Sequence, residues 1–265
     1  MRNRPTSKNR YRYTALCGLA MGTAIGTSIA LTRRMARHHQ MPNLKIWRRA
    51  LTEKHGEVQG AILAARVQTR YEALYNERPH FTHPALRWHL EQKILPGLAL
   101  YQVLSKESND QDAVLAEVGS LLVLGLRVFT KFVNMYRYLP LPFAIRRQIL
   151  RASLLAFPQQ GWDIDQIEQS ERSFAFTIHR CFYLDVLTAY DAPELTALYC
   201  RLDDLLYATL SPSIRWERTK TLGRGDDCCD FRWSRVKPGQ GTTRLIQVQS
   251  GVKREVTGNI HSSST

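Results

Sequence analysis

Apolar residues recur every three or four positions between Leu44 and Tyr75, at Ile46, Trp47, Leu51, Val58, Ile62, Leu63 and Val67. That period lays them on one stripe of a helix. Glu77-Arg78-Pro79-His80 stops the run. The pattern then predicts a helix over 85–106, bent at Pro96-Gly97, and a third over 110–138 whose Val114-to-Val133 portion reads as a central core helix. Pro140 and Pro142 stop that one, and a short fourth helix follows over 144–156.

After Ser173 the period changes. Phe174, Phe176 and Ile178 alternate with Ala175, Thr177 and His179, which predicts a half-buried strand over 173–181. A short helix through Leu184 and Leu187 leads to Tyr190. Asp191-Ala192-Pro193-Glu194 has the chemistry of a helix start, with Asp191 as cap and Glu194 completing a capping-box pattern. That helix carries a core stripe of Leu195, Leu198, Tyr199, Leu202, Leu205 and Leu206. Beside it runs a second stripe, Thr196, Cys200, Asp203 and Tyr207, while Asp204 points to solvent. Residues 214–222 alternate as a strand with Trp216 and Arg218 on one side. Residues 223–227 are turn chemistry, and 228–235 return as the second hairpin strand. There Cys229, Phe231 and Trp233 share one face and Cys228, Asp230 and Arg232 the other. Cys229 and Asp230 therefore enter one pocket only through a bulge. The tail from Lys237 is polar, with one short strand expected at 242–248.

These elements predict an α+β fold: a helical N-terminal half (41–160) packed on a small C-terminal antiparallel sheet with a crossover helix (173–235), in one domain over 41–237.

The net charge of +14 would suggest a nucleic-acid binder, but twelve of the 37 Lys/Arg and only one acid lie within residues 1–54. The rest of the chain holds 25 basic and 22 acidic residues, interspersed, which argues against a nucleic-acid partner. Residues 13–32 carry no charge and are long enough for one membrane helix of about 30 Å. Gly18, Gly22 and Gly26 form a small-xxx-small repeat within them. The leading reading is a single membrane anchor holding a cytoplasmic domain. A cleaved signal peptide, and a basic leader with translation starting at Met35 or Met41, are the alternatives; the basic residues on either side do not orient the segment.

The five cysteines, Cys17, Cys181, Cys200, Cys228 and Cys229, form no CxxC pair and no disulfide framework, which fits a reducing compartment. His80, His83 and His89 flank a proline turn without carboxylate or cysteine at ligand spacing, so no metal is assigned there.

Arg180-Cys181, the run from Ala192-Pro193-Glu194-Leu195 to Cys200 and Asp203, and Arg218-Thr219-Lys220-Thr221-Leu222 with Gly225 and Cys229-Asp230-Phe231 together resemble the L-2-amino-thiazoline-4-carboxylic acid hydrolase family. The resemblance is best over 174–233 and extends to Ile94-Leu95-Pro96. It implies hydrolytic opening of a five-membered thiazoline ring to N-carbamoyl-L-cysteine, a small-molecule substrate and no cofactor. Such chemistry needs a base for the attacking water or nucleophile, an acid for the departing group and a cation for the substrate carboxylate. For that chemistry the expected assignment makes Asp203 the general base and Cys200 the nucleophile or acid beside it; Cys229 or Asp230 faces them from the hairpin, Arg218 and Thr221 bind the substrate, and His179 moves a proton. Spacing alone favours a plainer reading, a small cysteine filling a gap beside a solvated aspartate. Arg218 reads equally as a strand arginine paired with a nearby acid. Two further readings stand: a non-enzymatic small-molecule binding module, and a soft metal site of His179, Cys181, Cys200 and Cys229.

Overall fold

In the computed structural model, residues 40–126, 130, 141–208, 211 and 213–236 are described. The 13–32 stretch, the tail with its expected strand at 242–248, and the end of the helix expected to reach residue 138 lie outside them. Among the described residues no helix is long and apolar enough to cross a membrane.

The single helix expected over 44–75 is two, α1 (Leu44–His55) and α2 (Glu57–Glu77). Gly56 separates them at φ 85°, a backbone angle that favours glycine. The apolar stripe runs straight across this turn, so periodicity could not register it. Next come α3 (Pro84–His89), a π-helical turn (Leu90–Ile94) and α4 (Leu95–Leu104). The bend expected at Pro96-Gly97 is this π turn, in which Leu95 N–H donates to Leu90 O. Pro96 has no N–H to continue the ordinary ladder, and the widened turn frees a carbonyl. That carbonyl is Glu91's, and Tyr71 takes it, its hydroxyl donating at 3.2 Å; Tyr199 donates to the carbonyl of nearby Lys93 at 2.9 Å.

Leu95, Leu98, Ala99 and Leu100 are 0% exposed, so α4 is the central helix. The helix expected to hold that place, α5 (Gln111–Gly125), buries only one face through Val114, Val118, Leu121 and Leu122. Asp110 caps it, accepting Ala113 N–H at 3.0 Å. The fourth helix, α6 (Phe143–Ser153), ends in a 3-10 turn at Leu154–Ala156.

Gly97 on α4 has no Cβ where the Tyr199 hydroxyl sits. Gly97→Ala is therefore expected to destabilise the protein by about 1–3 kcal/mol. Adding Tyr199→Phe should recover part of the loss in a chemical-denaturation comparison, because it removes the obstructing oxygen.

Four antiparallel strands follow: β1 (Trp162–Gln169), β2 (Ser173–Cys181), β3 (Ile214–Glu217) and β4 (Cys229–Arg235), in the order β1-β2-β4-β3. Helices α7 (Phe182–Ala189) and α8 (Leu195–Ala208) connect β2 to β3. Phe174 pairs with Trp233, Phe176 with Phe231, Ile178 with Cys229 and Trp216 with Trp233. These residues form the inner face, against which Tyr207 of α8 rests at 4.9 Å from Trp216 and 5.1 Å from Trp233, centroid to centroid. The predicted α+β architecture, helical half plus small antiparallel sheet, is the observed one.

Three local expectations are corrected. Strand β1 was not foreseen: register shifts after Asp163 and Asp165 break the period of two, leaving Ile167 51% exposed. Strand β3 stops at Glu217 rather than Leu222. The Asp230 carboxylate takes the backbone N–H of Thr219 at 2.8 Å and of Lys220 at 2.6 Å, in place of further ladder bonds. Helix α8 begins at Leu195, not at Asp191, which lies at φ 55°. The Glu194 carboxylate accepts the Tyr101 hydroxyl instead of closing a capping box, and Leu205, expected in the core, is 40% exposed.

Candidate active site

Antiparallel pairing sets Ile178 opposite Cys229, so Cys181 at the end of β2 and Cys229 at the start of β4 lie at the same end of the sheet. Helix α8 crosses that end with Cys200. The turn Leu222–Gly223 fits between them. Leu222 N–H donates to Cys229 Sγ at 3.2 Å. A Cβ on Gly223 would stand 3.0 Å from Cys200 Sγ and 3.0 Å from the Ala197 backbone nitrogen. The two sulfurs thus flank a single turn, held close by a residue without a side chain.

Asp203 is one helical turn beyond Cys200, and its charge is felt at Cys181, Cys200 and Cys229. Crowding by protein pushes its carboxyl up to about 6, opposed by Arg218 and assisted by Asp204. The side chain remains 46% exposed, so water reaches it and tempers that push. Burial likewise raises Cys181, and lifts Cys200 and Cys229 to about 12. All three thiols are therefore protonated at neutral pH.

Arg218 follows β3 and is turned inward beneath α8. Its side chain is 2% exposed, against 46% and 40% for Asp203 and Asp204. One nitrogen reaches Asp204 at 2.7 Å and the Cys200 carbonyl at 2.5 Å, and the other lies 3.6 Å from Asp203. The rings of Phe231 and Trp216 face its guanidinium at 5.0 and 5.7 Å. Burial disfavours the charge, but Asp203 and Asp204 outweigh it and keep the group protonated. Asp204, expected in solvent, is thus the nearer partner, and it also accepts Trp216 Nε1–H at 3.3 Å. The expectation failed because α8 overhangs the sheet, so both flanks of the helix, not one stripe, meet protein.

Among the described residues, Thr196 Oγ1, Thr221 Oγ1 and Arg218 Nε are buried polar atoms with no hydrogen-bond partner. Thr221 is 0% exposed, and only its backbone is satisfied, through Asp226 at 2.6 Å. Burying such groups unpaired is costly, so each is a donor available to a further partner.

The structure brings Cys200, Asp203, Cys229, Arg218 and Thr221 together. It does not bring in Asp230 or His179. Asp230 is on the opposite face of β4, where it accepts Thr219 Oγ1–H at 2.7 Å as well as the two backbone bonds already described. No bulge turns it inward. His179 pairs with Asp165 at 3.0 Å on the outer side of the sheet. Cys181, weighed from sequence only as a metal ligand, joins the cluster. Among the described residues no three His, Cys, Asp or Glu side chains are arranged to hold a metal ion. Two cavities lined by described residues, of about 370 and 180 Å³, lie elsewhere: between α1, α2 and α5, and over the outer face of β2 and β4.

Residues 87–233, just over half of the chain, match the family model described as L-2-amino-thiazoline-4-carboxylic acid hydrolase. The match begins on α3 and ends on β4, so it encloses the whole cluster and leaves out α1 and α2. No curated protein and no solved structure matches the chain.

Proposed function

The chain belongs to the L-2-amino-thiazoline-4-carboxylic acid hydrolase family, and from that premise we propose that it hydrolyses a small cyclic C–N/C–S substrate at the Cys200–Cys229 cluster. One observation carries the reading. Two thiols, Cys200 and Cys229, flank one tight turn; a carboxyl raised to about 6 stands one helical turn from the first, and unpartnered polar atoms lie on the elements that carry them.

Asp203 is the general base. It takes a proton from water as the water oxygen attacks the carbon between sulfur and nitrogen. The ring nitrogen receives the hydrogen remaining on the added oxygen, the carbon–sulfur bond breaks with its electron pair on sulfur, and protonated Asp203 returns its proton to that sulfur. The water oxygen becomes the carbonyl of the N-carbamoyl product; its two hydrogens end on nitrogen and on the released thiol. Direct attack by water is favoured over a covalent intermediate, since thiols raised to about 12 are poorly ionised. Cys200 and Cys229 serve as weak S–H donors holding the ring. Arg218 Nε–H with the hydroxyls of Thr196 and Thr221 supply donors for the substrate carboxylate.

The test incubates the full chain with the thiazoline and follows free thiol with a chromogenic disulfide. Stoichiometric thiol release supports the reading. A second reading is a non-enzymatic binding module, favoured by the fact that the charge of Arg218 is already engaged by Asp203 and Asp204. No thiol release, together with thermal stabilisation by the thiazoline, would select it.

A further inference from the structure

The larger cavity, of about 370 Å³, lies between α1, α2 and α5, apart from the Cys200–Cys229 turn. Its α1 and α2 wall is outside the residues matched by the family model. The volume is within the range of small-molecule pockets. Leu63, Leu104 and Val114, which are 1, 3 and 3% exposed, give it an apolar base.

The charges above this base are ordered by depth. Glu117 is 12% exposed, and its carboxylate accepts from Lys54 Nζ and from His55 Nε2, both at 2.7 Å. Burial disfavours its charge, but those two donors outweigh burial and hold the carboxyl below its ordinary value. Glu117 is therefore ionised at neutral pH, with both oxygens engaged. Lys54 is 57% exposed and commits one of its three N–H groups to Glu117. Glu107 accepts from Arg66 at 2.5 Å through Oε1. Its Oε2 has Gln59 Nε2 at 3.4 Å, too long for a strong bond. Ser108 Oγ accepts Asp110 N–H at 3.1 Å, which leaves the hydroxyl proton uncommitted. The lining thus holds donors on Lys54 and Ser108 and an under-used acceptor on Glu107.

Each carboxylate already has a cation, Lys54 for Glu117 and Arg66 for Glu107. A ligand with one charge would either displace such a pair or bring in an unmatched charge, and both cost free energy. A ligand carrying both signs does neither. We propose that this cavity binds a free α-amino acid with an apolar side chain. The ammonium meets Glu107 Oε2, the carboxylate meets Lys54 and the Ser108 hydroxyl, and the side chain covers Leu63, Leu104 and Val114. Sequence could not reveal the site, because α1, α2, the turn after α4 and α5 each supply part of it.

The experiment titrates L-leucine into the full-length protein by isothermal calorimetry. Beside it run two truncated leucines, 3-methylbutylamine without the carboxylate and 4-methylpentanoate without the amine. Leucine is expected to bind with Kd below about 1 mM, and each truncation at least about tenfold more weakly, the worth of a charge-assisted hydrogen bond. Glu107→Gln and Lys54→Met should each weaken leucine about tenfold, while Lys45→Met, an exposed lysine on the same helix as Lys54, should not. Both site substitutions touch exposed pairs, so Tm without ligand should stay within about 2 °C of wild type. Ala113→Phe places a ring on an exposed lining residue and should block leucine without disturbing the fold. No heat from leucine at about 10 mM overturns the proposal, as does binding that Glu107→Gln, Lys54→Met and Ala113→Phe leave unchanged. A truncation that binds as well as leucine overturns the ligand class. None of these readouts involves the thiazoline, so this proposal and the ring-opening reading can fail separately.

Discussion

Asp203→Asn is expected to lower kcat for ring opening by about 10²- to 10⁴-fold, the usual worth of a positioned general base. The fold should survive. The surroundings of Asp203 already favour its uncharged form, raising the carboxyl to about 6, and an amide imitates that form in size and neutrality. Arg218 keeps Asp204 at 2.7 Å when Asp203 loses its charge. The wild-type pH profile should agree. The base works only when ionised, so kcat/KM should climb with pH through about 6 and fall to roughly a tenth one unit below it. Stability should respond in the opposite sense. A carboxyl raised in the folded state binds its proton more readily there than in the unfolded chain. Its contribution is thus fully present below the unfolded value near 4 and is lost as pH rises through about 6. Coincidence of an activity limb with a counter-running stability change, both absent in Asp203→Asn, identifies the group. A flat profile between pH 5 and 8 in the wild type would remove Asp203 from the role of base.

The parts of this site that sequence disclosed are those governed by short-range periodicity. Cys200 and Asp203 share a helix edge because three residues make nearly one turn, and Cys229 points inward because strand side chains alternate. Arg218 follows Trp216 inward by the same alternation, although β3 has already ended. What sequence withheld depends on contacts between distant elements. Asp204 looked solvated because the stripe of α8 was drawn for one packing face, and nothing local says that Trp216 and Arg218 will reach around to the other. Cys181 is 48 positions from Cys229 along the chain, yet the register Ile178 to Cys229 brings both to the same end of the sheet. Asp230 is the reverse case. Its place in a Cys-Asp-Phe run made it a site candidate, but the opposite strand side sends it to hold the Thr219–Lys220 backbone. Motif adjacency in a strand puts consecutive residues on opposite faces, so only one of that pair faces the thiols.

Arg218→Met is expected to produce the largest loss of stability, about 2–4 kcal/mol, seen as a fall in Tm of about 5–15 °C. The guanidinium joins α8 to the sheet by three contacts: Asp204, Asp203 and the Cys200 carbonyl. Methionine fills the space beside Phe231 and Trp216 but leaves the carbonyl without its donor and two neighbouring carboxylates without their counter-charge. Because both carboxylates are partly exposed, water relieves some of that repulsion, which places the expectation below the full cost of a sealed pair. Arg218→Lys should restore little, since a point ammonium cannot span both acids and the carbonyl as the planar fork does. Arg232→Met is the control. Its pair with Glu168 at 2.9 Å is exposed, and its loss should change stability by no more than about 0.5 kcal/mol. The comparison also separates two roles for Arg218. A strut lowers Tm whether or not substrate is present. A carboxylate clamp raises KM while Tm stays within about 1–2 °C of wild type. With its charge already shared between two aspartates on α8, Arg218 is expected to behave first as the strut that sets the distance between Cys200 and Cys229, and a normal melting curve for Arg218→Met would refute that.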